Sequence, residues 1–158
     1  MPRLQNAVFS GTLKGYYLAL SDCGGACLDN LKEAVAKLPI EWTNVPQHAD
    51  LVFMSGVIST ALGAKLKQLF NSFSKPFFII RIGGCMGPMN KLFEDPANNY
   101  AILERAKKFF PIDLQIDGCP PSVDEIHDKL ESFITFMDLT PTITKTLDRK
   151  MDKAIFNP

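Results

Sequence analysis

An α/β fold on an open, mostly parallel sheet is what this sequence predicts, on three observations. Short runs of strand type alternate with stretches of helical periodicity between residues 15 and 137. The helical stretches have the roughly 10 to 15 residues that a crossover between parallel strands uses. Each cysteine-bearing loop follows a strand run through a glycine-containing turn, the edge at which open α/β sheets place their ligands.

The first strand is the apolar, aromatic run Gly15 to Leu20 (GYYLAL), and it leads into the turn segment Ser21-Asp22-Cys23-Gly24-Gly25. Leu28, Leu31, Val35 and Leu38 then recur at three- and four-residue spacing, a helix that Pro39 ends. Leu51-Val52-Phe53-Met54 reads as a buried strand, followed by a helix over Thr60 to Phe73 with Leu62, Leu66, Leu69, Phe70 and Phe73 on one face. Phe77 to Ile82 (FFIIRI) is the strongest strand, entered through Pro76 and left through Gly83-Gly84-Cys85. Irregular chain is expected over Pro88 to Pro96 and a short helix from about Asn99 to Phe109.

Ile112 to Ile116 (IDLQI) alternates apolar and polar residues, as a strand near the sheet edge does, and Gly118-Cys119-Pro120-Pro121 breaks it. The last helix opens on a capping box, Ser122 at the N-cap and Glu125 three residues on, and carries Ile126, Leu130, Phe133, Ile134 and Met137 on its apolar face. Right-handed βαβ units of this kind give a flavodoxin-like three-layer sandwich with a mostly parallel sheet. One domain is expected over residues 1–137, with 138–158 as a tail lying on a partner, because that stretch is rich in Pro, Thr and charge and poor in core positions.

Composition narrows the function. The 158 residues suffice for one cored domain, and 46% apolar with 22% charged residues is ordinary for a globular protein. Seventeen basic residues balance seventeen acidic ones, so no summed positive field draws in phosphate backbones, and nucleic acid is not an expected partner. No run approaches the roughly 18 apolar residues of a membrane span, and Met1 to Asn6 lacks the apolar core of an export signal. A cytoplasmic protein is expected, one able to sit on the cytoplasmic face of a membrane complex.

Reduced thiols in that compartment serve metals or catalysis rather than disulfides. Cys23 and Cys27 follow the first strand, Cys85 follows FFIIRI and Cys119 follows IDLQI, so four thiols can converge at one sheet edge. Such a set suits zinc or an iron-sulfur cluster. Gly24, Gly25, Gly83, Gly84, Gly87 and Gly118 clear side chains from beside the sulfurs and let backbone N–H groups approach a bulky cluster. Structural zinc more often takes two close ligand pairs, whereas Cys85 and Cys119 stand singly, 34 residues apart.

A cysteine pair after a strand, a Gly-Gly-Cys loop and a Gly-Cys-Pro-Pro opening a helix together resemble the small subunit of NiFe hydrogenases and the related cluster-bearing 20 kDa subunit of complex I, which form one family. Phe110 to Pro121 is similar to the family's last-ligand motif, and Ala49 to Gly56 to the strand and loop before its middle region. The resemblance covers about residues 15 to 137. It implies an electron-transfer subunit of the energy-converting, membrane-bound group, with Cys23, Cys27, Cys85 and Cys119 holding one proximal 4Fe-4S cluster. It also implies a NiFe hydrogenase large subunit, or its complex-I-like homologue, as one partner and a ferredoxin-like iron-sulfur subunit as the other.

Three residues separate Cys23 from Cys27, where hydrogenases of this kind use two and complex I none. Either the glycines bulge and both sulfurs reach the cluster, or one of the pair is not a ligand. The readings that compete with the hydrogenase are a complex-I-type quinone oxidoreductase subunit, a zinc-binding or cofactor-free interaction module and, more distantly, a flavin protein.

Other residues carry two readings each. Arg81, four residues before Cys85, either raises the potential of a nearby cluster or pairs with a surface acid. Met86 and Met89 flank Cys85 as a soft interface shell or as gap fillers. Asp22 and Asp29 serve proton movement or turn and helix capping. His48 and His127 are expected at the surface, His127 on the polar side of the last helix.

Overall fold

The computed structural model describes residues 12–20, 25–57, 60–71, 73, 77–84 and 111–139. Five strands and three helices follow one another as β1 (Leu13–Ala19), α1 (Ala26–Val35), β2 (Ile40–Trp42), β3 (Leu51–Ser55), α2 (Thr60–Phe70), β4 (Phe78–Ile82), β5 (Leu114–Ile116) and α3 (Val123–Leu139). The strands form one all-parallel sheet in the order β2-β1-β3-β4-β5, the doubly wound arrangement of flavodoxin-like folds.

Period-two alternation divides the strands between two cores. On one face Leu51 and Phe53 of β3, with Phe78, Ile80 and Ile82 of β4, meet Leu31 and Val35 of α1 and Ile126, Leu130 and Ile134 of α3. On the other face Val52, Met54 and Ile79 meet Leu66 and Phe70 of α2, with Phe73 and Phe77 closing the layer. Each such side chain contributes about 1.5–3 kcal/mol when fully buried. A one-residue slip of either central strand would exchange the two faces and forfeit that burial, which fixes the register.

The expected elements are present with shifted ends. α1 begins at Ala26, two residues before the first periodic leucine, after Gly25 in the left-handed conformation at φ 76°. α2 ends at Phe70, and the chain then turns on bonds from Asn71 N to Lys67 O (3.2 Å) and Phe73 N to Phe70 O (3.2 Å), which return Phe73 to the same core. α3 runs through Asp138 and Leu139, past the expected boundary at residue 137. Ser122 caps it as the sequence indicates, its Oγ accepting Glu125 N at 3.2 Å. The segments expected as irregular chain over 88–96 and helix over 99–109 lie outside the described residues, as do 140–158 of the expected tail.

β2 has no counterpart in the sequence reading. Its three residues are too few to display a period, and they pair because Gly15 leaves room: a Cβ there would stand 3.0 Å from the Phe53 ring and 3.1 Å from Ile40 Cγ2. Trp42 then lies over Phe53 at a centroid distance of 5.5 Å.

Two aspartates bind the amino edge of the sheet. The buried Asp50 accepts Lys14 N on Oδ2 (2.9 Å), donates its own N–H to Lys14 O (2.8 Å) and accepts Phe78 N on its carbonyl (2.9 Å), joining β1, β3 and β4. Asp113 does the same for β4 and β5: its carboxylate accepts Ile79 N at 2.8 Å and its N–H donates to Ile79 O at 2.9 Å. Burial raises the Asp113 carboxyl from 3.8 to about 6, against the opposing pull of the Ile79 hydrogen bond. A carboxyl with a raised folded-state pKa binds its proton more tightly folded than unfolded. Stability through this group is therefore greatest below about pH 4 and falls as pH rises toward 6. By the 1.36 kcal/mol per pKa unit this amounts to at most about 3 kcal/mol, reduced by partial solvent access. Asp113→Asn keeps the acceptor for Ile79 and removes the charge. Its urea midpoint is expected to exceed the wild-type value at pH 7.5 and to converge with it near pH 4; parallel curves for the two proteins would refute this account.

Candidate functional site

Four strands end level with one another. Ala19 is in register with Ser55, Ser55 with Ile82 and Ile82 with Ile116, so the chain leaves β1, β3, β4 and β5 along one straight edge. Three bonds carry the pairing past the last register positions: Leu20 N to Ser55 O (2.9 Å), Gly83 N to Ile116 O (2.8 Å) and Gly84 N to Gly118 O (2.6 Å). The residue before Cys85 is thus bonded directly to the residue before Cys119.

The Gly118-Cys119-Pro120-Pro121 turn is the most tightly specified part of this edge. Gly118 has φ 126°, and a Cβ there would lie 2.6 Å from Pro121 Cα and 2.8 Å from Pro121 N, so no other residue fits without moving backbone. The turn leaves Cys119 exposed. On its far side Asn30 Nδ2 donates to Pro121 O at 2.8 Å, tying the loop to α1 one turn beyond Cys27. The helix that carries Cys27 is therefore held against the loop that carries Cys119.

Cys27, the second residue of α1, is only 3% exposed and lies in the core layer with Leu31. Cys23 and Cys85 lie outside the described residues, with Asp22, Met86 and Met89. Among the described residues no three His, Cys, Asp or Glu side chains gather as a metal site. What the described edge supplies suits a thiolate-bound cluster: an exposed cysteine in a tight turn, a second cysteine in a buried layer, and a Gly-to-Gly backbone contact linking the ends of two strands that precede cysteines.

Arg81 is not at the surface. It is 6% exposed, sits between Met54 and Gln115 in the sheet register, and its Nη2 donates to Gly56 O at 3.3 Å. Gln115 Nε2 in turn reaches Gly83 O (3.3 Å) and Asp117 Oδ1 (3.1 Å). Asp29 is in the first turn of α1, where an acid favours the helix dipole. His48 is exposed, and His127, with a side chain 24% exposed, has Nδ1 3.4 Å from Asp128 Oδ1.

Sequence reasoning missed four contributors. Asn30 was detectable in principle, because a polar residue three positions after Cys27 shares its helix face. The Tyr17 and Ser55 hydroxyls, which hydrogen-bond across β1 and β3 near the edge, and the Gln115 bond to Gly83 left no comparable signal, since those partners are distant in sequence.

The family described as NADH ubiquinone oxidoreductase, 20 Kd subunit, matches residues 15–133. The chain belongs to that family. Among its relatives is an NADH-quinone oxidoreductase subunit of Cutibacterium acnes, 32% identical over 83 residues (52% of this chain, 42% of the relative). The subunit of the same name from Phocaeicola vulgatus is 33% identical over 79 residues (48% and 36%). The alignments span less than half the length of these curated relatives. In fold, a chain of the membrane-bound sulfane sulfur reductase, an archaeal respiratory membrane complex, superposes with a TM-score of 0.66 at 16% identity, over 96% of this chain and 89% of that one. A chain of an NAD+-reducing NiFe hydrogenase gives 0.52 at 14% identity, over 79% and 92%. The 20 Kd subunit family is one of oxidoreductase subunits, and the α/β fold is what these chains share.

Gly118→Ala meets backbone at 2.6 Å with a positive φ, whereas a Cβ on Gly84 would make ordinary contact at 3.5 Å with Gly118 O. Strain of about 1–3 kcal/mol is expected for Gly118→Ala, which is a fall of about 3–10 °C in Tm for a chain of this size. Gly84→Ala should move Tm much less, and equal losses in the two proteins would show that the turn is not the constraint.

Proposed function

We propose that this chain is the electron-relay subunit of a NiFe hydrogenase, with Cys23, Cys27, Cys85 and Cys119 as ligands of one proximal 4Fe-4S cluster. The observation that carries the reading is the Gly84 to Gly118 backbone bond at the carboxyl edge, which joins the cysteine-bearing ends of β4 and β5 in a chain of the 20 Kd subunit family. When bound, such a cluster supplies a one-electron couple at a potential set by its surroundings, within roughly −700 to +450 mV.

The chain's own residues have defined tasks in this reading. Cys119 presents a thiolate outward, toward a large catalytic subunit. Gly118 and Pro121 fix the direction of that thiol, and Asn30 holds the loop to α1. Cys27 approaches from the dry side, where water is excluded by Leu31 and the strands beneath it. The chain itself makes and breaks no substrate bond; its partners are the large subunit and a ferredoxin-like iron-sulfur subunit. None of its described helices is long and apolar enough to cross a membrane, and a peripheral place on the cytoplasmic face is part of the proposal.

A second reading has its own support. The relatives at 32% and 33% identity are named as subunits of NADH-quinone oxidoreductase, which favours a complex-I-type assembly passing electrons to a quinone. The two differ in the large subunit: hydrogen-dependent dye reduction by the purified complex supports the hydrogenase, and quinone reduction without it supports the other.

The test of the cluster itself is anaerobic purification of the chain with its large subunit, followed by iron and acid-labile sulfide analysis and EPR of the reduced protein. About four of each per chain are expected, with the signal altered or lost in Cys119→Ala. Zinc or no metal in an intact complex would reduce the chain to an interaction module. Cys27→Ala separates the two readings of its spacing: a ligand takes iron with it, whereas a core cysteine leaves the iron count and EPR signal intact.

A further inference from the structure

Contacts of different kinds hold the Cys119 turn. Gly118 is crowded against Pro121 within the turn itself, and Gly84 N bonds Gly118 O at 2.6 Å, which joins the turn to the end of β4. The bond from Asn30 Nδ2 to Pro121 O, at 2.8 Å, leaves the sheet and reaches α1 across 91 residues of sequence. Pro121 is buried, and a buried carbonyl left without a donor carries the full cost of its desolvation. Asparagine is a weak helix former, because its side chain competes for nearby backbone, yet Asn30 stands in the middle of the ten-residue α1. Its amide is spent on a carbonyl two residues past Cys119. Cys27 is three positions earlier on the adjoining part of the same helix face. Nothing at the start of α1 does this work in its place: the N-cap is Gly25, in the left-handed conformation and without a side-chain cap. Leu31 and Val35 pack in one core with Ile126, Leu130 and Ile134 of α3, but apolar contact is non-directional and does not fix how far one helix slides along the other.

We propose that Asn30 is a positioning residue that fixes the Cys119 turn against the Cys27 end of α1 before any metal arrives, so that these two cysteines are presented as one preformed unit. The consequence for metal rests on the proposed 4Fe-4S reading; the latch itself rests on the Asn30, Pro121, Gly118 and Gly84 contacts. Asn30 acts through the backbone of the turn rather than as a ligand. A turn already held in place needs no ordering when a group binds to it, so the bound group is released more slowly than from a loose turn.

Asn30→Asp keeps the shape of the side chain and replaces the donor by an oxygen, whereas Asn30→Gln keeps the amide. In the complex purified anaerobically with its large subunit, iron release to the chelator bathophenanthroline is expected to be about three- to tenfold faster in Asn30→Asp, the range that one hydrogen bond commands. The reduced EPR spectrum of that variant should change, and Asn30→Gln should restore both readings toward wild type. In the metal-free full chain, amide exchange at Gly84, whose N–H bonds Gly118 O, should quicken in Asn30→Asp and not in Asn30→Gln. Wild-type iron release and an unchanged EPR spectrum in a folded Asn30→Asp protein would overturn the positioning role, whatever the change in Tm, and leave the cluster standing. Should Asn30→Asp not fold, Asn30→Ala, which favours the helix, decides on the same measurements: faster release and exchange uphold the role, and unchanged values refute it. Absence of iron from the wild-type complex would sink the cluster reading, and exchange at Gly84 in the metal-free chain then decides the latch alone, faster in Asn30→Asp if it stands and unchanged if it does not.

Discussion

The flush ending of four parallel strands is the constraint on which the rest of this molecule depends. Ala19, Ser55, Ile82 and Ile116 lie in one register line, so loops far apart in sequence begin side by side. That line exists because the two cores fix the central strands from opposite faces: Phe53 and Ile80 on the α1 and α3 side, Val52 and Ile79 on the α2 side. Slipping either strand by one residue would turn its apolar side chains to the wrong layer. The placement of the cysteine loops is thus a consequence of hydrophobic burial in the two cores beneath them.

The two edges of the sheet are closed by different means. At the amino edge Asp50 and Asp113 use carboxylates to pair with backbone N–H groups, which clamps neighbouring strands with side chains that end in the sheet itself. At the carboxyl edge the pairing is continued by glycine backbone, Gly83 to Ile116 and Gly84 to Gly118, which leaves no side chain on those glycines above the strand ends. One edge is filled and the other is cleared. A bulky inorganic group bound by cysteines needs the second kind of surface, and the crowding of Gly118 against Pro121 shows how little freedom the loop has once it is built.

Polar contacts around the cleared edge link elements that hydrophobic packing alone would leave independent. Asn30 joins α1 to the Cys119 loop, the Tyr17 and Ser55 hydroxyls join β1 to β3, and Arg81 joins β4 to the turn after β3. Hydrogen bonds of this sort contribute about 0.5–1.5 kcal/mol each, small beside the cores, but they hold direction where apolar contacts hold only proximity.

The sequence by itself determined the fold class and the identity of the strands and helices with strong patterns. β1, β3 and β4 were legible as short apolar runs bounded by turn residues, α3 because its apolar residues recur at helical spacing, and the Ser122 cap because its partner is three residues away. It also determined which loops carry cysteine. Only the tertiary structure decided the rest. β2 exists through pairing with β1, Ile40 against Leu13; Asn30 acts through Pro121, 91 residues on; and Arg81 is buried, its Nη2 on the carbonyl of Gly56, 25 residues back. Burial of Cys27 beside the exposure of Cys119 belongs to the same class. Local periodicity is written in neighbouring residues, whereas burial, register and long-range hydrogen bonds depend on which surfaces meet after the sheet has formed, and no short window of sequence contains both partners.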